Sequence, residues 1–177
     1  MKIAYDIHAS LNSDSFTNSR TALAKLLRVQ GYQIADFKKD LELINYQTLP
    51  LYPDYLTSLS HTRGAGAALL AKKKDYHSLG IDIEWSDRIM KPESQKFFRH
   101  KLDMTTENLL ELWTMKEAAF KALSPLGHPE VLVLSKIVIQ NGKFWTLERQ
   151  DIIGSIETFK FQINNRELCL SLAFIAK

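Results

Sequence analysis

Trp113-Thr114-Met115-Lys116-Glu117-Ala118-Ala119-Phe120-Lys121 decides the reading of this chain, together with the earlier Gly80-Ile81-Asp82-Ile83-Glu84-Trp85. The first stretch lies inside Leu109–Leu123, the most strongly helical segment of the sequence. Thr105–Asn108 offers capping chemistry before it and Ser124-Pro125-Leu126-Gly127 stops it. Glu117 and Lys121 stand four apart and share a face, with Trp113 one turn earlier. An exposed Glu–Lys pair at this spacing is commonplace. Here the surrounding Leu, Trp, Met, Ala and Phe side chains predict a largely buried helix, where a charge must be paired or bound to metal. The second stretch reads as a strand. Asp82 and Glu84 are two apart, so both point to one face while Ile81 and Ile83 fill the other. Neighbouring carboxylates on one strand face repel unless a cation sits between them. Three converging carboxylates with lysines beside them are what holding a divalent metal against a phosphate requires.

Working outward, Ile3–Ile7 is expected as an opening strand and Asn12–Ser15 as a turn. A helix capped at Thr17 or Asn18 then runs to Gln30 and stops at Gly31, its apolar stripe Ala22, Leu23, Leu26 and Leu27. Tyr32–Phe37 is expected as a short strand. Leu56–Ser60 and Ala65–Ala71 are strands joined by the polar corner Ser60–Gly64, and Lys72–Ser78 is a charged turn. Glu93–Lys101 is expected to be helical after Pro92. Asn141-Gly142 and Asn164-Asn165 each mark a hairpin.

The chain has 177 residues, 45% of them hydrophobic and 24% charged, with a net charge of +3. That composition fits a globular protein and excludes wholesale disorder. The single cysteine, Cys169, sits in the apolar run Leu168–Ile175, which excludes an intrachain disulfide and predicts a buried structural thiol. Charge interrupts the N-terminal run Met1–His8 early, unlike a signal peptide, and no stretch approaches the ~20 apolar residues of a membrane span. The expectation is a cytoplasmic protein that does not bind membrane or nucleic acid. Dinucleotide fingerprints, Walker loops, zinc spacings and hydrolase elbows are missing from the sequence.

The two stretches resemble the paired signature of 4′-phosphopantetheinyl transferases, G-[VI]-D-[IV]-E followed by W-x-x-K-E-[AS]-x-x-K. Ser58-Leu59-Ser60-His61-Thr62 is similar to the S-x-S-H-[ST] element of the Sfp-like members. The three elements occur in order over residues 56–124. The resemblance implies an α+β fold of two similar small lobes in one chain, a pseudo-dimer. Each lobe would have an antiparallel sheet and a long helix, residues 1–87 and 88–177, with the active site between them. It implies transfer of the phosphopantetheine arm of coenzyme A to a serine of an acidic apo carrier protein, releasing 3′,5′-ADP. By that similarity Asp82, Glu84 and Glu117 hold Mg²⁺, or Mn²⁺ in its place. Glu117 doubles as base and Lys121 stabilises the leaving phosphate. His61, Ser60, Lys116, Lys121 and Arg20 bind coenzyme A, and the protein acts as a monomer.

This chain departs from the family in lacking the K-P element before the S-H motif, where Leu49-Pro50-Leu51-Tyr52-Pro53 stands instead. Arg63, beside His61, is a further basic candidate. Two other classes use similar residues. A metal-dependent nuclease or phosphodiesterase wants its lysine on a strand after the first acid, and here the lysines lie on a helix. A degenerate, non-catalytic coenzyme A- or carrier-binding lobe would not need all three carboxylates.

Overall fold

A computed structural model describes residues 3–10, 13–127 and 131–177. The strand β1 (Ile3–Ala9) is followed by the helix α1 (Ser15–Val29) and a single turn, α2 (Phe37–Asp40). The strands β2 (Tyr55–Thr62), β3 (Ala65–Lys72) and β4 (Tyr76–Trp85) come next, then the helix α3 (Leu109–Leu123). The strands β5 (Ile137–Gln140), β6 (Lys143–Thr146), β7 (Gly154–Ile163) and β8 (Arg166–Ala176) close the chain. The class is α+β, with two antiparallel sheets in the orders β1-β3-β2 and β4-β8-β7-β6-β5.

Each sheet carries one 15-residue helix. The helix α1 buries Ala22, Leu23, Leu26 and Leu27 against Ala68 and Leu70 of β3. The helix α3 buries Leu112, Met115, Ala119 and Leu123 with Ile137, Phe144 and Ala173 of the second sheet. Between the sheets lies a third core, in which Ala67 and Leu69 of β3 meet Ile81 and Ile83 of β4 and Leu170 of β8. Asp82 and Glu84 thus face away from that core, as the alternation of β4 predicts.

Glycine sets how closely each helix approaches. A Cβ on Gly66 would stand 2.1 Å from the Ser19 nitrogen of α1, and one on Gly80 would stand 1.9 Å from the Ala118 oxygen of α3. Only a bare backbone at these two positions lets the helices lie directly on their strands.

The strand β4 pairs with β8, so it belongs to the second sheet although it precedes the expected division at residues 87/88. Its other edge meets β2 through side chains. Ile81 N–H donates to the Ser58 hydroxyl at 3.2 Å and Ile83 N–H to the Ser60 hydroxyl at 3.4 Å. Hydroxyls thereby supply acceptors that a neighbouring strand would otherwise provide.

Several local expectations need correction. The helix α1 begins at Ser15, because Asp14 rather than Thr17 or Asn18 caps it, accepting from the Thr17 N–H at 2.7 Å. Residues 32–36 form no strand. Asp36 accepts from Lys38 and Lys39 N–H and starts α2 instead. After Pro92 only a 3₁₀ helix forms, Pro92–Phe97. The corner expected at Ser60–Gly64 is tighter, since β2 continues to Thr62. Of the Asn12–Ser15 turn, Asn12 lies outside the described residues, as do Met1 and Lys2 of the N-terminal run. Both hairpins form, their asparagines accepting positive φ: Asn141 at 51°, Asn164 at 49° and Asn165 at 62°.

Candidate active site

The C-terminal half of β4 and the middle of α3 meet at Gly80, and this contact places the acids. Asp82 and Glu84 project from β4, while Glu117 and Lys121 project from α3 one turn apart. All four line one pocket of about 320 Å³, with Ser60, His61, Arg88 and Trp113. The three carboxylates and Lys121 singled out in the sequence thus share one pocket wall.

Each β4 acid is held from two sides. Asp82, 6% exposed, accepts from the Ser60 hydroxyl at 2.7 Å and from the Lys121 ammonium at 2.8 Å. Lys121 also donates to the Ile81 carbonyl at 2.9 Å. Glu84 accepts from the Thr62 hydroxyl at 3.0 Å and pairs with the Arg88 guanidinium, which lies 5.5 Å from the Trp113 ring centre. Burial pushes the Glu84 carboxyl above its usual range, against the pull of Arg88 and Thr62. Burial raises Glu117 too, and the negative Asp82 raises it further while Lys121 opposes. The pocket therefore holds more negative charge than it solvates well.

Among the described residues no group of three His, Cys, Asp or Glu side chains stands ready to enclose a metal ion. The donor set nevertheless suits a hard cation, being three carboxylates with oxygen ligands only. Lys121 and Arg88 neutralise two of them.

A larger cleft of about 1010 Å³ adjoins the pocket and shares Leu59, His61 and Lys121 with it. Phe16, Arg20, Tyr46 and Phe120 contribute to its wall. Arg20 is half-buried; its Nε donates to the Leu41 carbonyl at 3.2 Å and its guanidinium lies 4.4 Å from the Phe16 ring centre. Burial lowers its pKa. His61 is exposed at the junction of the two cavities.

Lys116 does not join them. Expected to contact phosphate, it is fully buried, facing Asp103 and Ile137 rather than the pocket. Its ammonium donates to Asp103 at 2.8 Å and to the Ile137 carbonyl. Burial pulls its pKa down to about 8 despite Asp103. Consecutive residues on a helix point about 100° apart, so Lys116 and Glu117 cannot both face the pocket. Ser60 lines the pocket, but its hydroxyl is spent on Asp82 and Ile83. Arg63 lines neither cavity; its carbonyl accepts from the Trp85 indole N–H at 2.7 Å.

Three residues brace the site to which the sequence reading gave no role, although it quoted Thr62 as the end of the Ser58–Thr62 element. Thr62 was detectable, standing two residues beyond Ser60 on the same strand face. Arg88 carried no signal, because it follows β4 in a turn. Gln47 lies in a loop, buried, and ties that loop to both elements that carry the acids. Its amide nitrogen donates to the carbonyls of Leu79 on β4 and, at 2.8 Å, Lys121 on α3, while its oxygen accepts from the Leu79 N–H at 3.1 Å.

Residues 78–162, which include most of β4, all of α3, β5 and β6, and most of β7, match the model of a transferase family. That family is the 4′-phosphopantetheinyl transferase superfamily, to whose model this segment is similar. No curated protein matches the chain. No helix among the described residues is long and apolar enough to cross a membrane.

Proposed function

We propose that the protein is a phosphopantetheinyl transferase acting on coenzyme A and an acidic apo carrier protein, with 3′,5′-ADP as the second product. The observation that carries this reading is the shared pocket of Asp82, Glu84, Glu117 and Lys121, opening beside a cleft roomy enough for a nucleotide. The two sheets, each with one long helix, are read as the lobes of a pseudo-dimer, and the two glycine contacts under α1 and α3 support that reading. The chain acts as a monomer in this reading.

In the reaction, the carrier serine oxygen bonds to the phosphorus that bears the pantetheine arm, and the bond from that phosphorus to the bridging oxygen breaks. The leaving group is 3′,5′-ADP. Glu117 accepts the serine proton, directly or through water; its raised pKa makes it a better base than a solvated glutamate. Lys121 faces the charge that grows on the departing phosphate. His61 and Arg20 offer cationic or polar contacts to the nucleotide along the cleft. Asp82, Glu84 and Glu117 would hold Mg²⁺ or Mn²⁺, which would neutralise charge on the diphosphate.

The test is incubation of the protein with coenzyme A, Mg²⁺ and a panel of apo carriers, read by intact-protein mass. Addition of one phosphopantetheine to at least one carrier supports the proposal, and failure with every carrier type overturns it.

A further inference from the structure

We propose that Arg88 is an internal counter-ion of the carboxylate pocket, which occupies Glu84 in place of a divalent cation and so weakens the pocket's affinity for that cation. The inference rests on the reading of Asp82, Glu84 and Glu117 as cation ligands.

The local chain is built to aim Arg88 at the pocket. Immediately after β4, Ser86 donates to Glu167 at 2.9 Å and Asp87 takes a bidentate contact from Arg166 at 2.8–3.0 Å. Arg166 itself lies 4.1 Å from the Trp85 ring centre. Residues 86 and 87 are thus pinned to the β7–β8 hairpin, and the Arg88 N–H closes the turn on the Trp85 carbonyl at 2.9 Å. That turn sends the Arg88 side chain back over the end of β4, where its guanidinium meets Glu84 and the Trp113 ring. It therefore spans the pocket from the strand that supplies two carboxylates to the helix that supplies the third. Lys121 treats Asp82 in the same way from the other side.

A cation entering between Asp82, Glu84 and Glu117 must draw Glu84 away from Arg88. Because the Arg88 side chain is 43% exposed, the pair is partly screened and the competition is modest. Removing the guanidinium should free Glu84 and tighten cation binding about three- to fivefold, the size a partly exposed ion pair supports.

Mn²⁺ binding to the purified protein, followed by electron paramagnetic resonance without coenzyme A or carrier, tests this. The set is wild type, Arg88→Ala, Arg88→Gln and Asp82→Ala, each checked by thermal melting for a folded state. Arg88→Gln keeps the stem over Trp113 and removes only the charge. Tighter Mn²⁺ binding in both Arg88 variants, with binding lost in Asp82→Ala, is the expected result. Unchanged or weaker binding in the Arg88 variants overturns the inference while leaving the metal site intact, and a gain in Arg88→Ala alone also overturns it. Binding by wild type and Arg88 variants no stronger than by Asp82→Ala overturns the metal reading and this inference together.

Discussion

Ser60 donates to the Asp82 carboxylate at 2.7 Å and accepts the Ile83 N–H at 3.4 Å, so one hydroxyl fixes both an acid of the pocket and the backbone that carries it. Replacing Ser60 with Ala leaves the buried Ile83 amide without its acceptor and the Asp82 oxygen with the Lys121 ammonium only. The variant should lose about 1–3 kcal/mol of unfolding free energy, measured by denaturant titration. Transfer activity should fall with it, since Asp82 is then held by Lys121 alone. Unchanged stability would mean that water replaces the hydroxyl at no cost.

Gly80→Ala tests the contact that brings strand and helix together. Its Cβ would meet the Ala118 oxygen at 1.9 Å, so α3 must lift from β4 and carry Glu117 and Lys121 away from Asp82. A loss of about 1–3 kcal/mol or more and a collapse of transfer activity are expected, by thermal melting and carrier modification. A variant with wild-type activity would show that the acids need not sit this close.

Much of this arrangement was legible in the sequence. The period-2 pattern of Ile81, Asp82, Ile83 and Glu84 and the i,i+4 spacing of Glu117 and Lys121 placed four pocket residues, because both periods are fixed by backbone geometry. The two asparagine hairpins were equally readable, since few residue types accept a left-handed turn. The role of Lys116 was not. Adjacency to Glu117 suggested a shared task, whereas its partner Asp103 comes from an irregular segment that no period predicts. Gln47 and Arg88 were hidden for the same reason: each acts from a loop whose path depends on tertiary contacts. The strand expected at Tyr32–Phe37 did not form, and the short helix Phe37–Asp40 that follows turned on one side chain, Asp36, capping two amides.

Lys116→Met separates its structural role from the phosphate contact once expected of it. Removing the ammonium leaves Asp103 buried without its counter-charge, although Asp103 still accepts the Ile139 N–H at 2.8 Å. The variant should lose about 3–5 kcal/mol of stability while its folded fraction keeps near-wild-type turnover. Lost turnover with unchanged stability would return Lys116 to the catalytic site.

The same lysine gives a pH signature. Its pKa is lowered from 10.5 to about 8 in the folded protein. Between those values the unfolded chain holds the proton and the folded chain does not. Its contribution therefore makes stability rise with pH across that window, with the cost of burial fully present below about 8. Glu117 has the opposite slope: its raised carboxyl favours the protonated folded state, so stability falls as pH climbs above 4.5 through its folded pKa. Denaturant unfolding across both windows, in wild type, Lys116→Met and Glu117→Gln, should show each slope vanish with its own residue. A slope that persists in the matching variant would reassign it.

Glu117→Gln bears most directly on the central claim, because a neutral amide in the same partly buried position relieves the desolvation of the carboxylate and removes the negative charge on which the proposed ligand and base roles depend. The measurement is the rate of phosphopantetheine transfer from coenzyme A to an apo carrier in Mg²⁺, beside the melting temperature of the same samples. The proposed mechanism predicts a melting temperature equal to or above wild type and transfer lowered by about a hundredfold or more. Near-normal transfer by a fully folded Glu117→Gln protein would contradict it.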